Sequence, residues 1–100
     1  MRMVNLTHKN DFVFKKYRVN RRIWCETTSE YATIPDILRL VEMGKSVVVY
    51  SAEGPAKKHR GDPTEDVTAR VLLDVLHLRE NTHPTLTAPE LMVLLRRPLP

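Results

Sequence analysis

The clearest local signal in the sequence is a capped amphipathic helix between Thr33 and Gly44. Thr33 can cap a first turn that contains Pro35 and Asp36, and an aspartate suits the positive end of the helix dipole. The apolar residues Ile34, Ile37, Leu38 and Val41 follow the i, i+3, i+4, i+7 spacing of one buried face. Gly44 can end the helix in a left-handed conformation.

Segments with strand character flank this helix. Ser46 to Ser51 is a β-branched run between turn residues, which predicts a buried strand. Before the helix, Phe12 to Tyr17 and Arg22 to Thr27 favour two strands, and Val19-Asn20 is the expected link between them. The sequence therefore predicts a hairpin with a basic turn, preceded by an arm over residues 1–11.

The second half of the chain predicts two more helices. One carries Val71, Leu72, Val75 and Leu76 and starts either at Asp62-Pro63 or at Thr68, the latter leaving room for a short strand before it. The other opens with the capping pattern Thr87-Ala88-Pro89-Glu90, carries Leu91, Leu94 and Leu95, and stops near Arg97 before Pro98. Residues 56–62 between strand and helix predict a polar loop. The expected fold is one α+β domain over residues 12–97, in the order β-β-α-β-(β)-α-α.

Composition and motifs exclude several functions. A single cysteine cannot form an intramolecular disulfide, which indicates a reducing compartment, and no apolar run approaches the roughly 20 residues that span a bilayer. The four histidines and Cys25 lack the spacing of a zinc site, and the three glycines do not form a phosphate loop. We therefore expect a cytoplasmic protein that is not an enzyme and needs neither metal nor cofactor.

The charge of the chain is concentrated at its start. Residues 1–25 contain seven basic side chains and one acidic, whereas the remaining 75 contain nine basic and eleven acidic. Such asymmetry favours an anionic partner, with nucleic acid ahead of a membrane surface. Lysine and arginine neutralise phosphates, and arginine and asparagine make bidentate contacts with guanine and adenine. The predicted DNA-contacting residues are Lys15, Lys16, Tyr17, Arg18, Asn20, Arg21 and Arg22, with secondary backbone contacts from Lys57, Lys58 and Arg60.

Four motifs in this order resemble the DNA-binding domain of polyhydroxyalkanoate synthesis regulators. They are K-K-Y-x-x-N-R-R-I-W from Lys15, T-x-S-x-Y-x-T-I-x-D-I-x-x-L-V-x-x-G from Thr27, V-V-V-Y-x-A from Val47, and E-D-V-T-A-R-V-L-L-D-V-L from Glu65. The resemblance covers roughly Phe14 to Leu76 and favours a short strand at Glu65 to Val67 with the next helix starting at Thr68. It implies a bacterial cytoplasmic transcription regulator, usually a repressor, that is associated with the nucleoid and with storage-polymer genes.

The sequence departs from the family pattern within the basic block. One extra residue, Arg18 or Val19, separates Tyr17 from the Asn20-Arg21-Arg22 triplet and changes its register. We therefore keep two hypotheses. The first is a small homodimeric repressor that binds double-stranded DNA through the basic block. The alternative is a protein-interaction module that pairs with a related regulator and binds DNA only weakly.

Overall fold

The computed structural model describes residues 11–18, 21–52 and 63–98. Over these residues the chain forms five strands and three helices in the order β-β-β-α-β-β-α-α, which confirms the predicted α+β class. The strands are β1 (Phe12–Tyr17), β2 (Ile23–Cys25), β3 (Glu30–Ala32), β4 (Val47–Ala52) and β5 (Pro63–Asp66). The helices are α1 (Ile34–Glu42), α2 (Thr68–Thr82) and α3 (Ala88–Leu95).

The five strands form one mixed sheet in the order β3-β2-β1-β4-β5. β1 is central: it pairs antiparallel with β2 and parallel with β4, which places Phe12 beside Val47 and Tyr17 beside Ala52. The parallel pairing is possible because α1 lies between the first three strands and β4, and it returns the chain to the end of the sheet where β1 begins. The other neighbouring strands are antiparallel.

The hydrophobic core lies between one face of the sheet and the helices α1 and α2. Alternate residues of β1 point to this face, so Phe12 and Phe14 are fully buried, as is Val49 of β4 beside them. Ile37 of α1 and Val71 of α2 belong to the same buried cluster. One sheet face is therefore sealed by helices, while α3 takes no part in the core.

Helix α1 starts as the sequence predicts. The Thr33 hydroxyl accepts a hydrogen bond from the Asp36 amide, and the Asp36 carboxylate accepts one from the Thr33 amide at 2.8 Å, so the two residues form a capping box. Gly44 follows the helix with a φ of 81°, the left-handed conformation expected there. The predicted buried face is shifted, because Leu40 is fully buried whereas Val41 is exposed.

Two strands differ from the sequence prediction. β2 covers only Ile23–Cys25 instead of Arg22 to Thr27, because residues 26–29 turn the chain back on itself, with Ser29 at a φ of 55°. The turn creates β3, which the sequence analysis did not predict and which pairs antiparallel with β2. The hairpin is therefore a three-stranded meander.

Helix α2 starts at Thr68 and is preceded by β5, which decides between the two starts that the sequence left open. The Asp66 carboxylate explains this start, because it accepts hydrogen bonds from both the amide and the hydroxyl of Thr68. Helix α3 begins with the expected capping box between Thr87 and Glu90 and ends at Leu95.

Candidate nucleic-acid interface

Arg18, Arg21 and Arg22 are exposed at one end of the sheet, where β1 ends and β2 begins. Backbone hydrogen bonds fix this end. The Arg18 amide donates to the carbonyl of Ala52 at 3.2 Å, and the Tyr17 amide donates to the carbonyl of Arg22 at 2.9 Å. The three arginines are thus attached to the ends of paired central strands, which limits how far their backbone can move.

Arg21 has a backbone conformation that is unusual for its residue type. Its φ is 59°, in the left-handed region that residues other than glycine seldom occupy, and its amide donates to the Tyr17 carbonyl at 2.8 Å. Uncommon backbone conformations persist when surrounding contacts impose them, and they concentrate at functional sites. Here the consequence is geometric, since the turn carries the Arg21 side chain into a cleft beside the sheet.

Arg18 is oriented by two polar neighbours. Its Nε donates to Ser51 Oγ at 2.9 Å, and its Nη2 lies 3.2 Å from Glu65 Oε1. The Arg18 and Glu65 side chains are each 53% exposed, so this ion pair adds little stability but restricts the direction of the guanidinium group.

A cleft of about 300 Å³ lies between this end of the sheet and the first turn of α2. Among the described residues, four cationic side chains line it, and Glu65 is the one carboxylate. The four cations come from three segments of the chain, and they are Lys16, Arg18, Arg21 and Arg70. Within the described part of the chain, neither Arg21 nor Arg70 forms an ion pair. The cleft is therefore a concentrated positive site.

Sequence reasoning missed Arg70. It lies far from the basic block along the chain, within the helical motif for which the sequence predicts only an apolar stripe. It reaches the cleft because α2 packs against β4, with Val71 buried in the core and Arg70 exposed beside it. The sequence does contain one signal for Arg70: it directly precedes the predicted core residue Val71 in the first turn of the helix.

The sheet divides the predicted basic block between its two faces. Lys16 lies opposite Ile23 on the helix-covered face, whereas Lys15 lies opposite Trp24 on the other face. Lys15 Nζ is 3.0 Å from Glu26 Oε1, which neutralises its charge locally. The block is consequently not one continuous patch, and Lys16 rather than Lys15 joins the cleft.

An aromatic pair supports Arg22 on the face of the sheet opposite the helices. The Trp24 and Tyr31 rings meet edge to face with centroids 5.0 Å apart, and the Arg22 guanidinium lies 5.3 Å from the Tyr31 centroid. This cation–π geometry holds the Arg22 guanidinium beside Tyr31 while the Arg22 side chain stays exposed.

Tyr17 is fully buried, although the sequence analysis placed it among the contacting residues. Burial raises the pKa of its hydroxyl above the usual value near 10; the charge of Lys15 opposes this shift, whereas Glu26 and Tyr31 add to it. By the alternation along β1 the Tyr17 ring lies on the same face of the sheet as Lys15, and its surface is not accessible to a ligand in this conformation. Asn20, Lys57, Lys58 and Arg60 lie outside the described residues, so their predicted contacts stay predictions.

The described residues contain neither a metal-binding cluster nor a membrane-spanning helix. No group of three or more histidine, cysteine, aspartate or glutamate side chains in residues 11–18, 21–52 and 63–98 is arranged to hold a metal ion. None of the three helices has the length and apolar character that crossing a membrane requires, over the same residues.

Comparison of the chain with protein-family models, curated proteins and solved structures found no match. The resemblance to polyhydroxyalkanoate synthesis regulators is therefore carried by the sequence motifs alone.

Proposed function

We propose that this protein binds double-stranded DNA through the arginine-rich end of its sheet and acts as a small bacterial transcription regulator, a repressor. One observation carries the proposal: four cationic side chains from separate parts of the chain converge on one cleft, against one carboxylate among its described residues. Neutralisation of phosphates by lysine and arginine is the dominant source of affinity for DNA. The family resemblance supports the same function.

The cationic side chains of this end of the sheet are suited to different parts of DNA. Lys16 and Arg70 line the cleft walls and are suited to phosphate oxygens, which fix the position of a protein on the duplex. Arg21 and Arg22 lie on the turn between two strands, and a two-stranded ribbon fits the major groove, where arginine recognises guanine. We assign base recognition to Asn20 and one of these arginines.

The remaining parts of the proposal follow from DNA binding. A homodimer presents two copies of the basic end to two half-sites, which strengthens binding to a palindromic operator. The protein acts in the bacterial cytoplasm, on the nucleoid. Storage-polymer genes are the targets that the motif resemblance suggests.

A fluorescence-anisotropy titration with random-sequence duplex DNA at two salt concentrations tests the proposal. The variants are Arg70→Ala and Arg21→Gly, because glycine adopts the left-handed conformation of residue 21 without strain. The matched control is Lys45→Ala, which removes one positive charge beside the start of β4, at the opposite end of the sheet. Each cleft variant should weaken binding and reduce the slope of log K against log salt by about one. The control should do neither.

Two results would contradict the proposal. Equal weakening by Lys45→Ala would mean that DNA responds to overall charge and not to this cleft. Failure of the folded wild-type protein to bind at low salt would remove DNA binding and favour the alternative, a module that pairs with a related regulator.

A further inference from the structure

Helix α3 is apolar and exposed along its whole length. Its five consecutive residues from Leu91 to Leu95 have exposed fractions between 42% and 84%, and none of its residues is buried. Leu73 of α2, which is 65% exposed, lies near it on the same groove as Leu91. Soluble monomers seldom expose a continuous apolar surface of this kind, and such surfaces mark interaction sites.

Helix α3 would not be stable by itself. An eight-residue helix is too short to be stable in isolation, and one that is apolar on all sides is normally buried. In this protein α3 is kept in place by its capping box and by Glu80, whose carboxylate accepts hydrogen bonds from the amides of Thr85 and Leu86 just before the helix. The chain thus anchors α3 firmly while leaving its apolar surface uncovered.

The charges at the ends of α3 are arranged in opposite senses. Glu90 lies in the first turn, and Arg96 and Arg97 follow the last turn. Hydrogen bonds from Thr87 lower the pKa of the Glu90 carboxyl, so it is ionised at neutral pH. Two such helices placed side by side in opposite directions match each negative end with a positive end, and their helix dipoles are then antiparallel as well.

We propose that α3 is a homodimerisation helix, which packs antiparallel against α3 of a second copy of this chain about a two-fold axis. The helix is self-complementary in this arrangement, as an isologous interface requires, because one surface supplies both the apolar contacts and both partners of the charge pairs. A second copy of α3 pairs Glu90 with Arg96 and Arg97 at both ends of the interface.

The interface extends beyond α3. Eight residues of helix are only about 12 Å long. A helix of this length cannot by itself supply the roughly 800 Å² per partner that a stable interface buries. The groove of about 360 Å³ next to α3 provides the rest, since Leu73, Leu76 and Leu86 line it together with Leu91. The second copy therefore covers α3 and the exposed edge of α2.

This pairing is independent of the basic cleft. Arg70 lies in the first turn of α2, whereas α3 follows the last turn of the same 15-residue helix. None of the described residues that line the groove beside α3 also lines the basic cleft. The proposed interface thus uses other side chains than Arg21 and Arg70, and dimerisation can be tested without DNA.

Sedimentation equilibrium over a wide range of protein concentration tests the proposal. Val93→Glu places a charge on the exposed surface of α3, and Val41→Glu makes the same change on the exposed surface of α1. The wild-type protein and Val41→Glu should dimerise with equal affinity, whereas Val93→Glu should raise the dissociation constant at least tenfold. Circular dichroism should show that Val93→Glu stays folded, because residue 93 is not part of the core.

A second variant tests the orientation. Arg96→Glu/Arg97→Glu should weaken an antiparallel dimer several-fold, because each new glutamate faces Glu90 of the second copy. An unchanged dissociation constant would overturn the antiparallel arrangement. In a parallel pair, residues 96 and 97 of one copy face residues 96 and 97 of the other copy, so the double substitution replaces one like-charge contact by another. A monomeric wild-type protein, open-ended association, or a Val93→Glu variant that dimerises normally would each overturn the proposal, whatever the DNA titration shows.

Discussion

Thr68 joins three elements of the fold through one hydroxyl group. Its Oγ1 accepts a hydrogen bond from the Val49 amide of β4 at 2.8 Å and donates to the Asp66 carboxylate of β5 at 2.5 Å. Its own amide starts α2 and donates to the same carboxylate at 2.8 Å. Because α2 carries Arg70, the bonds of Thr68 also determine where one wall of the basic cleft lies.

Replacement of Thr68 by valine should destabilise the protein. The variant Thr68→Val keeps the shape of the side chain but leaves the amide of the buried Val49 without its acceptor, which costs about 1–3 kcal/mol in the free energy of unfolding. Urea denaturation measures the change. Thr68→Ser is the control, since it retains the hydroxyl and should lose much less. Equal losses in the two variants would mean that the methyl group matters as much as the hydroxyl, which would contradict the expectation.

The effect of Thr68→Val should depend on pH. The side-chain hydrogen bond from Thr68, followed by that from its amide, lowers the pKa of the Asp66 carboxyl. The resulting stability is complete above the unfolded pKa of about 3.9 and is lost as the pH falls through the lower folded value. Denaturation at acidic pH should therefore show a smaller difference between wild type and Thr68→Val than denaturation at pH 7.

The elements that could be predicted from the sequence are those specified by local signals. Helices α1 and α3 have capping boxes formed by residues three positions apart, so a short window of sequence contains the whole signal. β3 has no such signal, because its three residues follow a turn without glycine and are defined by pairing with β2. Leu40 replaces Val41 in the core because the position of β4 and α2, and not α1 alone, decides which side is covered.

The same distinction applies to the candidate site. Arg18, Arg21 and Arg22 were predictable because they are neighbours in sequence. Their separation from Lys15 depends on the alternation of side chains along β1, and the entry of Arg70 depends on packing of α2. The alternation along β1 is local and could have been applied to Lys15, whereas the entry of Arg70 arises from the tertiary fold, and the sequence offers only its position beside the predicted core residue Val71.

Glu80 should hold the segment between α2 and α3 in a fixed conformation. Its carboxylate accepts bonds from the Leu86 amide at 2.6 Å and from the Thr85 hydroxyl and amide at 2.7 and 2.8 Å. These bonds lower its pKa to about 2, the Leu86 amide having the largest effect. We expect Glu80→Ala to increase hydrogen exchange at the Thr85 and Leu86 amides roughly tenfold, because both lose their acceptor.

The control for this exchange experiment is Glu42→Ala, which removes an exposed glutamate from the last turn of α1. In the wild-type protein, protection of the two amides should be complete above the unfolded pKa of about 4.3 and should disappear as the pH falls toward 2, once intrinsic exchange is accounted for. Unchanged exchange in Glu80→Ala would show that the connection is ordered by other contacts.

At the scale of the whole molecule, β1 links the two halves of the sheet. It has the meander of β2 and β3 on one side and the pair of β4 and β5 on the other. The basic cleft lies where β1, β4 and α2 meet and includes Arg21 just before β2, so it depends on both halves, whereas α3 follows α2 and takes no part in the core. The candidate DNA site is thus a product of the complete fold, and the candidate dimer helix is not.

The parallel pairing of β1 with β4 also sets the order in which the chain can acquire structure during synthesis. The first three strands and α1 leave the ribosome before β4, and a small meander is marginally stable in water. Ribosome-arrested chains should therefore stay sensitive to protease until β4 and α2 have emerged, and early resistance would contradict this expectation. Because non-local pairing is slow, Phe12 and Phe14 stay uncovered in the newly made chain until their neighbour Val49 has been synthesised.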